Sequence, residues 1–167
     1  LYTRNAYQRM RCFHPYNGHP CGKCPACLVN RQRQFAYRLE QERKVCSFMY
    51  WLTLTYSDDC LPRNSDYQPV FNKEHCRSLF ETLRKRYRKV AKFKHFLVSE
   101  YGDSETGTNR PHYHCMLFVY MIQKSNLKQQ FELRKNILDS IKEIWLYGFA
   151  YNKDWHSGGK TNYFGLT

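Results

Sequence analysis

The stretch Arg-Pro-His-Tyr-His-Cys-Met-Leu-Phe-Val-Tyr, residues 110–120, is the starting point for the fold. From Pro111 onward its apolar and aromatic content predicts a β-strand. Successive strand side chains point to opposite faces, so His112 and His114 share one face, about 7 Å apart along the strand, and Tyr113 points the other way. Two imidazoles on one rigid face can hold one divalent metal ion. A solitary His-x-His pair is a weak signal, so the neighbouring segments decide its meaning.

The preceding segment supplies a possible third ligand. Residues 96–101, Phe-Leu-Val-Ser-Glu-Tyr, predict a second strand, and the polar, turn-forming residues 102–109 predict a hairpin connection. Glu100 then lies about 5 Å across from His112. Two nitrogens and one oxygen leave coordination positions open for water or substrate, which is typical of a catalytic metal. The alternative is an exposed hairpin end on which Glu100 is simply solvated.

The charge of the chain indicates its partner. Its 27 Lys and Arg residues against 14 Asp and Glu give a net charge of +13, with a pI near 9.5, in 167 residues. This excess favours a polyanion, most naturally nucleic acid, with an anionic membrane surface as the alternative. Aromatic residues make up 17% of the chain and suit base stacking on single strands. Nothing approaches the roughly 20 apolar residues of a membrane span, and no signal peptide is recognisable.

Half of the eight cysteines crowd the first 27 residues, with C-x2-C-x2-C spacing: Cys12, Cys21, Cys24 and Cys27. Four thiolates can close a structural zinc site, for which His14 and His19 are substitute ligands. Iron–sulfur ligation and disulfides are the alternatives, although cysteines without a secretion signal favour a reducing compartment. The scattered cysteines are predicted to be small core residues: Cys46, Cys60, Cys76 and Cys115.

Periodicity predicts an alternation of helices and strands. Helices are expected from Leu28 to about Lys44, from a cap at Asn72 to about Ala91, and from a cap at Ser125 to about Trp145. Further strands are expected at residues 48–56 and 149–152. The inward-facing helical residues are predicted to be Cys76, Leu79, Phe80, Leu83, Tyr87 and Val90, then Leu127, Phe131, Leu138, Ile141 and Trp145. The order β-α-β-β-α-β predicts an α+β, ferredoxin-like (RRM-like) antiparallel sheet with helices on one face. Residues 46–167 would form this domain, and residues 1–45 a Cys-rich element with a basic helix.

Four residues are predicted to contact nucleic acid. Arg31 and Arg38 on the first helix could bind phosphates, the alternative being a solvated helix face. Arg110, beside the histidines, is expected either to clamp a phosphate or to be an exposed hairpin arginine. Tyr101 is expected to contact bases.

The ordered motifs resemble a known family, the HUH endonucleases, which have this sheet order and the motif Pro111-His112-Tyr113-His114. More narrowly, they resemble the replication initiation proteins of Microviridae, especially the gokushovirus-like group. The matching segments, spread over roughly Cys12 to Tyr163, are Cys21-Gly22-Lys23-Cys24-x-x-Cys27, Leu52-Thr53-Leu54-Thr55-Tyr56, Leu61-Pro62, Ser99-Glu100-Tyr101-Gly102, Arg110 to His114 with Phe118, and Trp145-x-x-Gly148.

This resemblance implies a tyrosine nucleophile on a helix after the last strand. The family motif resembles Tyr-x-x-Lys-Tyr, and Tyr163 matches its first tyrosine. Leu166 stands where lysine is usual and Thr167 where a second tyrosine would fall, so a one-tyrosine variant or an altered end is expected. Tyr147 and Tyr151 are rival nucleophiles, with sheet aromatics as their more ordinary interpretation.

The resemblance also implies an activity. Mg²⁺ or Mn²⁺ at His112, His114 and Glu100 would assist attack of Tyr163 on a phosphodiester in the single-stranded DNA of an origin hairpin. The products would be a 5′-phosphotyrosine link and a free 3′-OH primer. The setting would be the cytoplasm of an infected bacterial host, with a host helicase and polymerase as further partners. One alternative is a non-catalytic RRM-like nucleic-acid-binding protein with a zinc knuckle, although its strands would be expected to carry aromatics where the histidines stand. Another is a metal nuclease that activates water.

Overall fold

The computed structural model describes residues 9–102, 109–123 and 126–152. The chain divides into two compact units, Leu1–Val45 and Cys46–Thr167. Among the described residues, no helix has the length and apolarity needed to cross a membrane.

The first unit contains helix α1, Pro25–Val45, and a small core of Cys24, Ala26 and Cys27. The predicted start at Leu28 was wrong by three residues. Proline suits the first turn of a helix, because its fixed φ is helical and its missing N–H would have had no partner there. Two basic residues in the last turn, Arg43 and Lys44, complement the negative end of the helix dipole.

The second unit is a four-stranded antiparallel sheet with two helices. Its elements are β1 (Phe48–Thr55), α2 (Lys73–Tyr87), β2 (Ala91–Tyr101), β3 (Pro111–Met121), α3 (Leu127–Ile144) and β4 (Ala150–Asn152). The strand order is β2-β3-β1-β4, so β3 lies between β1 and β2 and both neighbours run antiparallel to it. The predicted α+β class with an antiparallel sheet is confirmed, and the order is that of a split β-α-β arrangement.

The main core fills one face of this sheet. Strand β1 contributes alternate residues, among them Leu52 and Leu54, while α2 and α3 contribute Leu83 and Ile141, all fully buried. The other face of the sheet carries the intervening strand residues, including His112 and His114. Two predicted core cysteines, Cys76 and Cys115, are buried in this core.

Helix α2 begins as predicted and ends earlier. The Asn72 side chain accepts a hydrogen bond from the backbone N–H of Glu74 at 3.0 Å, which caps the helix. The predicted end at Ala91 and the inward placement of Val90 were wrong, because the helix stops at Tyr87 and Val90 is exposed. Ala91 instead opens β2, five residues before the predicted start of that strand.

Helix α3 has a different cap and a different buried face from those expected. Asn126 caps it in a reciprocal pair with Gln129, and the predicted cap Ser125 lies outside the described residues. Leu127 and Phe131 are 83% and 70% exposed, so their inward placement was wrong. The buried stripe follows Ile137 and Ile141, which fixes the rotation of the helix about its axis.

The turn after α3 is clamped against the end of β1. Thr55 and Phe149 exchange two backbone hydrogen bonds, and the N–H of Ser57 donates to the carbonyl of Tyr147 at 2.9 Å. A Cβ at Gly148 would collide with the carbonyl oxygen of Thr55 and lie 2.5 Å from the nitrogen of Ser57. Glycine is therefore required at this position for steric reasons.

Candidate metal centre on the open face of the sheet

Strand register brings the three predicted metal ligands together. β2 and β3 pair so that Glu100 lies directly opposite His112 and Val98 opposite His114. Opposite residues in an antiparallel pair project to the same face. Tyr113, between the histidines, is fully buried in the core on the far side, so the alternation of the strand aims both imidazoles away from the helices.

The donor atoms of Glu100, His112 and His114 all lie within 4.8 Å of one another. Nε2 of His114 is 3.4 Å from Oε2 of Glu100, and Nε2 of His112 is 4.0 Å from the same oxygen. The imidazole rings stand edge to face, with centroids 4.9 Å apart. One carboxylate oxygen therefore faces two ring nitrogens across a space that one cation could fill.

Each histidine is held by its other ring nitrogen. Nδ1 of His112 lies 3.2 Å from the backbone carbonyl of Arg110, and Nδ1 of His114 lies 3.2 Å from the hydroxyl oxygen of Thr53. When Nδ1–H donates to these oxygens, Nε2 carries the lone pair and faces Glu100. This is the support that metal-binding histidines usually have.

The electrostatics favour the ligand form of His114. Burial, reinforced by the neighbouring His112, lowers its pKa below the ordinary value, and Glu100 offsets only part of the effect. The imidazole is thus neutral at pH 7, as metal coordination requires.

The donor set fits a divalent cation. It combines imidazole nitrogens with a carboxylate oxygen, and Mg²⁺ and Mn²⁺ accept oxygen-containing sets with further positions taken by water or substrate. The side chain of Glu100 is 58% exposed and those of the histidines 21% and 32%, so a ligand can approach from solvent. A catalytic site needs this access, whereas a structural site is usually closed.

A hydrogen-bonded network anchors β3 from the core side. The Tyr113 hydroxyl accepts from the N–H of Asn72 at 2.8 Å and donates to the carbonyl of the same residue at 3.0 Å. The hydroxyl oxygen of Tyr56 lies 3.3 Å from that of Tyr113 and 3.2 Å from Nδ1 of His75. The strand between the two metal-ligand candidates is thereby fixed to the loop that caps α2.

Two of the predicted DNA contacts in this unit lie elsewhere than expected. Arg110 donates to the carbonyl of Tyr56 at 2.8 Å and pairs with Asp58, so its guanidinium ties the loop after β1 to the start of β3. Tyr101 is next to Glu100 and so faces the other side of the sheet, where its ring contacts Phe71 at 4.4 Å between centroids. The structure does not bring Tyr101 to the cluster.

The two arginines predicted to contact DNA from the first unit both lie beside Phe35 on α1. The guanidinium carbons of Arg38 and Arg31 are 4.6 Å and 5.8 Å from the centre of its ring. Both arginines are exposed, which leaves their charge accessible to a phosphate.

The candidate nucleophiles occupy different places. Tyr163, with the rest of its motif, lies outside the described residues. Tyr147 is half-buried and stacks on His75, with ring centroids 3.7 Å apart, while Tyr151 is 58% exposed on β4. The position of Tyr147 is that of a packing aromatic.

The four N-terminal cysteines also converge. Their sulfur atoms lie within 4.8 Å of one another, and the group includes neither His14 nor His19, which are both exposed. Backbone N–H groups point at these sulfurs: that of Cys21 lies 3.3 Å from Sγ of Cys12, and that of Cys24 lies 3.4 Å from Sγ of Cys21. No disulfide is formed among the described cysteines.

The thiols in this group differ in acidity. Hydrogen bonds from the backbone of Phe13 and of Cys27 lower the pKa of Cys24 to about 6, whereas burial raises the pKa of Cys27 to about 12. Four thiolates this close would repel one another, so a bound cation is needed to hold them all deprotonated. The group could therefore hold a metal ion, and four sulfurs are the usual set for structural zinc.

Sequence reasoning did not single out Thr53 or Phe149 as functional residues. The alternation Leu52-Thr53-Leu54-Thr55 was the available signal for Thr53, since it puts polar residues on the same face as the histidines. For Phe149, the exposed fraction of the side chain, 59%, becomes visible only in the fold.

Comparison with known proteins gives a consistent result. The model of a family of replication-associated proteins, the ORF2 family, matches residues 49–164. The replication-associated protein VP4 of Bdellovibrio phage phiMH2K is 30% identical over 135 residues, which cover 77% of this chain and 41% of the relative. The replication-associated protein ORF2 of Spiroplasma virus 4 is 29% identical (78% and 41%), and ORF4 of Chlamydia phage 1 is 28% identical (78% and 33%). The chain thus spans about two fifths or less of the length of these relatives. No solved structure matches it significantly.

Proposed function

The chain belongs to the ORF2 family of replication-associated proteins, and on that basis we propose that it initiates rolling-circle replication by nicking and rejoining single-stranded DNA. The observation that carries the proposal is the Glu100–His112–His114 cluster on the open face of the sheet. Two histidines and a carboxylate on such a sheet are the features by which the chain resembles the HUH endonucleases. We assign this activity to residues 46–167.

The cluster would hold Mg²⁺ or Mn²⁺. When bound, the ion would neutralise charge on a phosphodiester oxygen and favour in-line attack at phosphorus. The protein residues supply the rest: Thr53 and the Arg110 carbonyl orient the two imidazoles, and the register of β2 with β3 sets the distance to Glu100.

Tyr163 is the proposed nucleophile. Its phenolic oxygen forms a bond to phosphorus while the bond from phosphorus to the 3′ oxygen breaks, and the 3′ oxygen leaves with a proton as a free hydroxyl. The 5′ phosphate stays joined to the tyrosine. The 3′-OH can prime a host polymerase, and the protein–DNA bond lets a later strand-end hydroxyl reverse the step and rejoin DNA. The substrate would be an origin hairpin, in the cytoplasm of the bacterial host.

The decisive experiment looks for the covalent product. The protein is incubated with Mn²⁺ or Mg²⁺ and a labelled single-stranded origin-like hairpin oligonucleotide, then run on a denaturing gel. We expect a slow, metal-dependent band that is lost in Tyr163→Phe and in His112→Ala. The matched controls Tyr147→Phe and Tyr151→Phe should keep it.

The other outcomes identify the other classes of protein. Cleavage without a slow band would assign the attack to water and refute the tyrosine mechanism. Binding without cleavage, across several origin-like hairpins and with a C-terminally extended chain, would favour a recognition module of RRM type with a zinc knuckle.

For the first unit we propose a structural zinc site at Cys12, Cys21, Cys24 and Cys27. The short N–H to sulfur contacts and the buried positions of Cys24 and Cys27 support it. Elemental analysis of the purified protein should give one zinc per chain, reduced in Cys24→Ser and unchanged in the control Cys60→Ser. Iron with visible absorbance, or zinc that survives Cys24→Ser, would contradict this proposal.

A further inference from the structure

Two aromatic side chains near the last strand are exposed side by side. Phe149 and Tyr151 are 59% and 58% exposed, and their ring centroids are 6.1 Å apart with planes inclined by 29°. Burying a large aromatic stabilises a fold, so two adjacent aromatics left to solvent have an unused capacity for contact.

Backbone pairing determines the face on which these rings lie. Tyr151 is opposite Thr53 in the β1–β4 register, and Phe149 exchanges two hydrogen bonds with Thr55, of 2.9 and 3.2 Å. Ala150, between them, packs against the main core. Phe149 and Tyr151 therefore project from the open face, the one that carries the metal-ligand candidates.

The aromatics and the histidines lie in the same cross-strand rows. The two rows run across the sheet from β2 to β4 in the order Glu100, His112, Thr55, Phe149 and in the order Val98, His114, Thr53, Tyr151. Neighbouring strands are about 4.8 Å apart, so each aromatic backbone position lies about 10 Å from that of the histidine in its row. That separation corresponds to a short stretch of single-stranded DNA.

We propose that Phe149 and Tyr151 form a base-stacking platform for the nucleotides of single-stranded DNA that flank the phosphate at the metal centre. The inference rests on the proposed function in so far as it takes single-stranded DNA as the ligand. Every base offers a π-face to an aromatic ring, so this contact holds the strand whatever its sequence. The net charge of +13 supplies the attraction to the phosphates.

The chemistry of the pair favours bases over other occupants. Phe149 has no polar atom with which to bind phosphate or donate a proton, and Tyr151 presents its ring beside it. A duplex keeps its base faces stacked on one another, so the platform selects unpaired nucleotides. Its continuity with the row of Glu100 and His112 places those nucleotides next to the reacting phosphate.

The test measures equilibrium binding of a fluorescently labelled single-stranded oligonucleotide in EDTA, which separates binding from cleavage. The double variant Phe149→Ala/Tyr151→Ala should bind roughly 5- to 150-fold more weakly for each base that loses its stacking partner. Tyr151→Phe, which keeps the ring, should bind like the wild type. Phe131→Ala is the matched control, since Phe131 is a comparably exposed aromatic on α3.

Abasic substitution identifies the contacted nucleotides. The wild type should lose affinity when one or two positions near the nick lack a base, and the double variant should lose no more at those positions, because the partners have already been removed. Unchanged affinity in the double variant would overturn the platform, whether or not the protein cleaves. Weaker binding together with a protein that never cleaves would sustain the platform and refute the nickase.

Discussion

The hydrogen bond between Thr53 and His114 allows a sharp test of the metal centre. Thr53→Val removes the hydroxyl and replaces it with a methyl group of nearly the same shape. Valine is favoured in strands, so β1 should keep its geometry and the protein its melting temperature. What changes is the partner of Nδ1 on His114, which lies 3.2 Å from the Thr53 oxygen.

The expected size of the effect follows from that contact. A neutral hydrogen bond contributes about 0.5–1.5 kcal/mol, and partners of metal-binding histidines typically account for roughly 10- to 100-fold in metal affinity. The side chain of His114 is 32% exposed, so water can replace part of the lost bond. We therefore expect Mn²⁺ to bind Thr53→Val about 5- to 30-fold more weakly, equivalent to about 1–2 kcal/mol.

Isothermal titration with Mn²⁺ measures this difference directly. The matched control is Thr55→Val, the same change two residues along the same strand and face, where the hydroxyl donates to the carbonyl of Phe149 and not to a histidine. His112→Ala serves as the reference for loss of a ligand. Equal Mn²⁺ affinity in Thr53→Val and Thr55→Val would refute the assignment of Thr53 as the residue that positions His114.

Three further predictions concern stability. Gly148→Ala should cost about 3 kcal/mol or more, since its Cβ would collide with the backbone of Thr55 and neither backbone can retreat; thermal unfolding measures it, and an unchanged melting temperature would contradict the close approach. Tyr113→Phe should cost about 1–3 kcal/mol in urea unfolding, because the N–H of Asn72 loses its partner; a loss below the error of the measurement would show that this bond contributes nothing. Burial raises the pKa of Cys76 from the ordinary 9.0 to about 12, so its contribution to stability is complete below about pH 9 and is lost as the pH rises from 9 to 12; urea unfolding at several pH values should show a smaller alkaline loss in Cys76→Ala, and an identical loss would refute this assignment.

Strand periodicity predicted the centre of the sheet well. The run 111–120 has one face of large apolar residues and one with two histidines, and the register of a short hairpin left Glu100 little choice of neighbour. The beginning of β2 was missed although it has the same alternation, with Ala91 and Phe93 buried and Lys92 exposed. Helical spacing from the preceding segment competed with that pattern and was given too much weight.

Helix rotation and remote contacts could not be read from local patterns. Leu127 and Phe131 share a helix face, but packing against the sheet selected the face of Ile137 and Ile141 instead. Thr53 reaches His114 across 61 positions of sequence, and Arg110 finds Asp58 across 52. Such pairs depend on strand order and loop path, which follow from the packing of the whole domain.

The placement of Glu100 opposite His112 has a consequence for folding. A slip of one residue between β2 and β3 would send both histidines toward the core and Tyr113 into solvent, and the ligands would no longer meet. An ion that binds all three side chains thus stabilises the native pairing over its shifted competitors, and its contribution grows with ion concentration. Metal uptake would then act as a checkpoint on strand alignment, and the fraction of chains able to take up the ion would report the fraction that has aligned correctly.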